Sequence, residues 1–167
     1  KCEVSGCRGD PLSKLVRADV SRGEALLMAM LSLPGRSGHE AAVMDFVRSA
    51  LLAAGAPAGA LEFDDLPTRS PHGGEVGNLV LKLPGTLPGP RRLLMAHVDT
   101  VPICEGAQPV RRGKWIVPAD KQTGLGADDR AGASVVLSTA LAILRGKLPH
   151  PPLTFLWTVQ EELGLFG

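Results

Sequence analysis

A chain of 167 residues with 44% hydrophobic and 21% charged residues can bury a core and amounts to about one domain. Its 18 basic and 17 acidic residues are spread along the chain, with a formal net charge of +1, so no basic block marks a nucleic-acid or membrane-surface partner. No run approaches the roughly eighteen apolar residues of a membrane span, and KCEVSGCRGD lacks the apolar stretch of a signal peptide, so a cytoplasmic location is expected. Residues 1–18 have no periodicity and form a poorly ordered lead-in, with residues 19–167 as the folded unit. Cys2, Cys7 and Cys104 are an odd number without a secretory signal, which predicts reduced thiols; Arg8-Gly9-Asp10 is a short match of the kind chance supplies. Ser21-Arg22-Gly23-Glu24 is a capping box that predicts a helix over 22–33, ended by Leu33-Pro34-Gly35. A second box, Ser37-Gly38-His39-Glu40, opens a helix whose apolar face is Val43, Val47 and Leu51, with Phe46 and Ala50 beside them and Gly55 as its C-terminal cap. His39, in that first turn, has no ligand-spaced partner and reads as a solvated or locally bonded histidine.

From Pro57 to Gly77 the chain is turn-rich, with one strand at Leu61 to Phe63 and His72 in a loop. Asn78 to Leu83 and Arg91 to Ala96 are strands on either side of the Gly/Pro-punctuated GTLPGP, and a weaker pair flanks Arg112-Gly113. Ala131 to Leu144 is apolar on all sides, which predicts a buried helix, and Leu153 to Val159 is a continuous apolar strand covered on both faces. Strand, helix and strand with further helices around them make an α/β layer fold.

Three acid-rich clusters stand at the ends of these elements: His97-Val98-Asp99, Gly126-Ala127-Asp128-Asp129 and Gln160-Glu161-Glu162. Ligands gather at the carboxyl ends of strands in open α/β sheets, and two of the clusters end strands while the third opens the buried helix. Carboxylates buried together would force some to protonate unless a cation neutralises them. A metal, or a pair bridged by one carboxylate, meets that requirement, and histidine with carboxylates suits zinc, with cobalt or manganese as substitutes. Side chains two apart on a strand face the same way, so Asp99 can take the N–H that a metal-bound His97 leaves free.

LMAHVDTVP, GLGADDRAGASVVL about thirty residues later, and FLWTVQEELGLFG resemble, in order and spacing, the signatures of the M20 family of di-zinc metallopeptidases, nearest to the tripeptide aminopeptidase branch. The resemblance covers roughly residues 19–167. It implies a three-layer catalytic domain around a mixed, mainly parallel sheet, of which this chain holds the first part. By the same resemblance His97 is a ligand of one zinc, Asp128 bridges both, Glu162 is a ligand of the other, Glu161 is the general base and Asp99 orients His97. A cis Asp128–Asp129 peptide is implied too. The substrate would be a short peptide, cut by a water whose pKa two zinc ions lower from about 15.7 towards 7, with Glu161 taking its proton and passing it to the leaving amine. Related zinc aminopeptidases share the QEE-type motif, but one branch inserts a lid between the histidine and the bridging aspartate, and the short spacing here favours M20.

The family's remaining carboxylate and histidine ligands, and a lid domain that handles substrate and forms the homodimer, would lie beyond Gly167. The chain begins with Lys and stops after a strand, so we expect a piece of a longer protein that binds zinc weakly and hydrolyses peptides negligibly by itself. Two other classes compete. Gly124-Leu125-Gly126-Ala127-Asp128-Asp129 begins like a nucleotide-binding loop, but its carboxylates would repel a phosphate at the helix N-terminus. A non-catalytic binding module with the same fold is the other, and light scattering would separate a finished module from a fragment exposing sheet surface. No G-x-S-x-G elbow is present for a serine hydrolase, and Cys104 has no base partner.

Overall fold

Asp19, two residues before the predicted capping box, caps the first helix in the computed structural model, which describes residues 19–167. The expected lead-in, with Cys2, Cys7 and the Arg8-Gly9-Asp10 tripeptide, lies outside the described residues. Asp19 Oδ1 accepts the Arg22 N–H at 3.0 Å, so α1 runs Val20–Ser32 and Ser21 falls inside it. Helix α2, Ala41–Ala53, buries Val43, Met44, Val47 and Leu51, the face that four-residue spacing predicts, and Gly55 follows at φ 92°. Its expected capping box does not form: Glu40 makes no side-chain bond to the helix, and Ser37 bonds elsewhere. His39 is locally bonded, with Nδ1 3.0 Å from Glu75 Oε1.

Strand β1 is Leu61–Phe63, followed by the single-turn helix α3, Leu66–Arg69, and by β2, Leu79–Leu83. Strand β3 is Arg92–His97. The weaker pair forms an antiparallel hairpin, β4 Pro109–Arg112 and β5 Trp115–Pro118. Helix α4, Ala127–Gly146, and strand β6, Leu153–Thr158, complete the main elements, with a 3₁₀ turn at Glu161–Leu163 after them. Asp128 and Asp129 depart from helical dihedrals at the head of α4, and the peptide between them is cis, as the resemblance implies.

The main sheet has the order β1-β2-β6-β3. It is mixed, as expected, but among the described strands only β3 with β6 is parallel; β1 with β2 and β2 with β6 are antiparallel. The parallel majority is thus not found in these residues. Strands β2 and β3, which flank GTLPGP, are not neighbours either. The apolar β6 takes the central place between them, where its backbone is bonded on both sides. Leu81, Phe155 and Leu94 stand in register across the sheet, as do Leu79, Trp157 and Ala96. These rows share one core with the apolar sides of α1, α2 and α4. Trp157 is fully buried and its indole N–H donates to Ala133 O of α4 at 3.2 Å, so the large ring enters the core without an orphaned donor. On the opposite face Leu93 and Met95 are more than half exposed, and the third layer of the expected architecture is not among the described residues.

Candidate active site

Parallel pairing brings the C-terminal ends of β3 and β6 to the same edge, with His97 opposite Thr158. The Val98 N–H still reaches Thr158 O at 2.9 Å, so the chain stays on the sheet for one more residue and delivers Asp99 beside the turn that follows β6. A helical crossover between parallel strands returns its start to this edge, and α4 therefore places Asp128 there. Gly126 precedes it at φ 73°, a left-handed position where a Cβ would also meet Thr100 Cγ2 at 2.9 Å, so glycine serves both requirements.

These constraints bring all five predicted site residues together. His97 Nδ1 lies 3.2 Å from the Asp99 carbonyl and 3.3 Å from Asp99 Oδ1. His97 Nε2 lies 3.3 Å from Asp128 Oδ1 and 3.7 Å from Glu161 Oε2. His97, Glu161 and Glu162 each offer one ligand atom, and those atoms all fall within 4.8 Å of one another. Asp128 touches His97 but stands outside that trio, with its side chain 91% exposed. Asp99 is wholly buried and accepts the Glu161 N–H and the Glu162 N–H at 3.1 Å each and the Ser37 hydroxyl at 2.6 Å.

Charge at this edge is crowded. Burial alone would lower the pKa of His97, but hydrogen bonding and attraction to Asp99, joined by Glu161 and Asp128, outweigh it and raise the imidazole to about 9. Burial raises Asp99, yet its bonds from His97, Ser37 and the two backbone N–H groups hold it below the usual carboxylate range. The Glu162 carboxyl is pushed up, first by burial and then by Glu161, Asp128 and Asp99, with His97 pulling the other way. The imidazole thus stands among four acids, which favour its protonated form.

Sequence reasoning missed the residues that brace this edge. Arg130 is buried and its guanidinium donates to the carbonyls of Val98, Met30, Leu33 and Gly35 at 3.0, 2.6, 2.5 and 3.2 Å. It ties the start of α4 to the strand end that carries Asp99 and to the loop after α1. Burial lowers it to about 10, against attraction to Cys104, Asp99 and Glu40. A charged residue opening an otherwise apolar helix was the available signal. Gln160, buried at φ 57°, is held by its side chain to Ser70 Oγ and Gly73 O, both at 2.6 Å. The site opens into a cavity of about 140 Å³ lined by Arg36, Ser37, Val101, Pro102, Glu162 and Leu163. A larger hollow of about 390 Å³ lies between α1 and the far half of α4, with no histidine or cysteine on its walls. No described helix is long and apolar enough to cross a membrane.

Peptidase T of Escherichia coli is 32% identical over an alignment covering 54% of this chain and 30% of that protein. Among solved structures, a tripeptidase from Staphylococcus aureus superposes with a TM-score of 0.80 at 25% identity, over 90% of this chain and 39% of that one. The aminopeptidase PepT from Bacillus cereus gives 0.77 at 27% identity, over 88% and 38%. The chain therefore spans under two fifths of the length of each. The family whose model matches is peptidase family M28, where the motifs alone had pointed to M20; the match runs over residues 78–167, from β2 through all three acid clusters, and covers more than half of the sequence. The chain belongs to peptidase family M28.

Proposed function

We propose that this chain carries the metal-binding edge of a peptidase that hydrolyses the amide bonds of short peptides, with two zinc ions as its cofactor and the tripeptide aminopeptidases of the M20 type as its functional kin. The observation that carries this reading is the trio His97, Glu161 and Glu162, whose ligand atoms lie within 4.8 Å of one another, with Asp128 3.3 Å from His97. One imidazole with a raised pKa and several carboxylates, of which Glu162 is also pushed up, form a donor set that a divalent cation fits. The likeness to a tripeptidase and to peptidase T supports the substrate class.

His97 would hold one ion, Glu162 the other, and Asp128 would reach both. When bound, the pair supplies Lewis acidity and a lowered proton affinity for the attacking water. The chain's own residues do the rest. Asp99 keeps the proton on His97 Nδ1, which leaves Nε2 free as a donor atom for metal. A Glu161 carboxylate oxygen takes the proton of the water as the new C–O bond forms, and gives it to the amine nitrogen as the C–N bond breaks. Arg36 and Leu163 border the adjacent cavity, where part of a substrate can lie.

Calorimetric titration of the purified chain with zinc tests the reading. Saturable binding that His97→Ala abolishes is expected, together with negligible hydrolysis of trialanine by this chain, since on the M20 resemblance each ion would find only two of its protein ligands among these residues. Binding unchanged by His97→Ala would overturn the site.

A further inference from the structure

Three consecutive backbone N–H groups, those of Gln160, Glu161 and Glu162, are all taken by buried carboxylates. Asp99 takes the second and third. The first goes to Glu40, whose Oε1 accepts the Gln160 N–H at 3.1 Å and the Gly38 N–H at 2.8 Å. Glu40 is wholly buried, 120 positions away in sequence, and its Oε2 has no partner.

A buried carboxylate is expensive to keep, and burial pushes this one above the usual range in spite of its two N–H donors. Helix capping does not account for it, because Glu40 makes no side-chain bond to α2. It makes no ion pair among the described residues either. What it does hold is the residue at which the chain turns left-handed, Gln160 at φ 57°, one position before the acid pair. A non-glycine residue there persists only when its surroundings fix it. Glu40 fixes the backbone N–H, while Ser70 and Gly73 fix the side chain.

We propose that Glu40 is a positioning residue, which sets the direction of Glu161 and Glu162 by anchoring the Gln160 N–H from the loop before α2. The inference rests on the roles given above to Glu161 and Glu162. It distinguishes two kinds of substitution: Glu40→Gln keeps an oxygen that can accept both N–H groups, whereas Glu40→Asp keeps the charge but withdraws the oxygen by one methylene.

Cobalt(II) titration of the chain, followed by its visible absorption bands and well below the melting temperature, tests this together with amide hydrogen exchange in the metal-free protein. Glu40→Gln should bind cobalt as the wild type does, with the same bands. Glu40→Asp should weaken binding about tenfold or more, as loss of support behind a ligand typically does, and should change the band intensities. Amide protection should fall at 160–162 and not across the sheet. A purely structural role would lower stability in Glu40→Asp and leave cobalt affinity and bands untouched; that result overturns the proposal. Should the wild type bind no cobalt, the metal reading fails, and exchange alone decides the anchor: unaltered protection at Gln160 and Glu161 in Glu40→Asp refutes it.

Discussion

Asp99 Oδ1 accepts the Glu161 N–H at 3.1 Å and lies 3.3 Å from His97 Nδ1, so one carboxylate oxygen faces both the proposed metal ligand and the proposed base. The other oxygen takes the Glu162 N–H and the Ser37 hydroxyl. Asp99 thus acts on both strand ends, and not only on the histidine of its own strand.

Asp99→Asn replaces one of these oxygens by an NH₂ group, which cannot accept a backbone N–H. Metal affinity should fall about 10–100-fold, the usual result when the support of a ligand histidine is lost. The melting temperature should fall as well, because a buried acceptor becomes a donor facing donors. Zinc calorimetry and thermal unfolding on the same preparation check both; an unchanged affinity would remove Asp99 from the site.

His97 gives a prediction in pH. With its pKa raised to about 9, the metal-free ring is protonated at neutrality, and a cation must displace that proton. Apparent zinc affinity should therefore rise about tenfold per pH unit through neutrality and flatten above about 9, with close to one proton released from His97 at neutral pH. Metal-free stability runs the other way. A pKa raised on folding contributes stability that is complete below the unfolded value of about 6.5 and is lost as pH rises through about 9. Melting curves of wild type and His97→Gln across this window should converge at the alkaline end; curves that stay parallel would exclude the ion-pair origin.

The two adjacent acids should separate by their readouts. Glu161→Gln should keep most of the metal and, in any form of the protein that turns over, lower kcat with little change in KM. Glu162→Gln should lose metal stoichiometry or affinity first. Because Glu161 also lies within the ligand trio, equal metal loss in both variants is the outcome that would reassign Glu161 from base to ligand.

Arg130→Met takes a donor from four carbonyls; Met30 O keeps the Leu33 N–H and Gly35 O keeps the Thr100 N–H, so those of Val98 and Leu33 are orphaned, and an orphaned buried acceptor costs about 1–3 kcal/mol. With two such losses a net loss of at least about 2 kcal/mol is expected, which for a chain of this size lowers the melting point by about 4–8 °C. Arg130→Lys should recover only part, since an ammonium cannot span carbonyls from two separate segments as the planar guanidinium does. A drop below about 2 °C in Arg130→Met would show that the carbonyls find other donors.

The elements that carry the site were legible in the sequence because each has a local signature. Continuous apolar runs marked β2, β3 and β6, four-residue spacing marked the buried face of α2, and His97, Asp99, Asp128, Glu161 and Glu162 stood at element ends. Strand order was not legible. Nothing local in β2 or β3 says that β6 will come between them, since strand order is set by pairing between segments far apart in sequence. The second capping box misled for a related reason. Ser37 and Glu40 have the right spacing to cap α2, but Asp99 and the Gln160 N–H, both distant in sequence, compete for them and win. Short-range patterns show what a side chain can do nearby and not what the fold offers it instead.

The outer face of β3 supplies the last prediction. Side chains alternate along a strand, so with Leu94 and Ala96 turned to the core, Leu93 and Met95 must face away, and they are 56% and 54% exposed. Strand β3 is also an edge: among the described strands it pairs only with β6. An edge that carries apolar side chains on an open face invites pairing with another chain. Light scattering of the purified chain should show mass growing with concentration, and Leu93→Lys with Met95→Lys should suppress that growth while leaving the melting temperature nearly unchanged, because neither side chain is in the core. A wild-type chain that stays monomeric at high concentration would mean that this face needs no cover, and would favour a finished binding module over a catalytic domain whose relatives are more than twice as long.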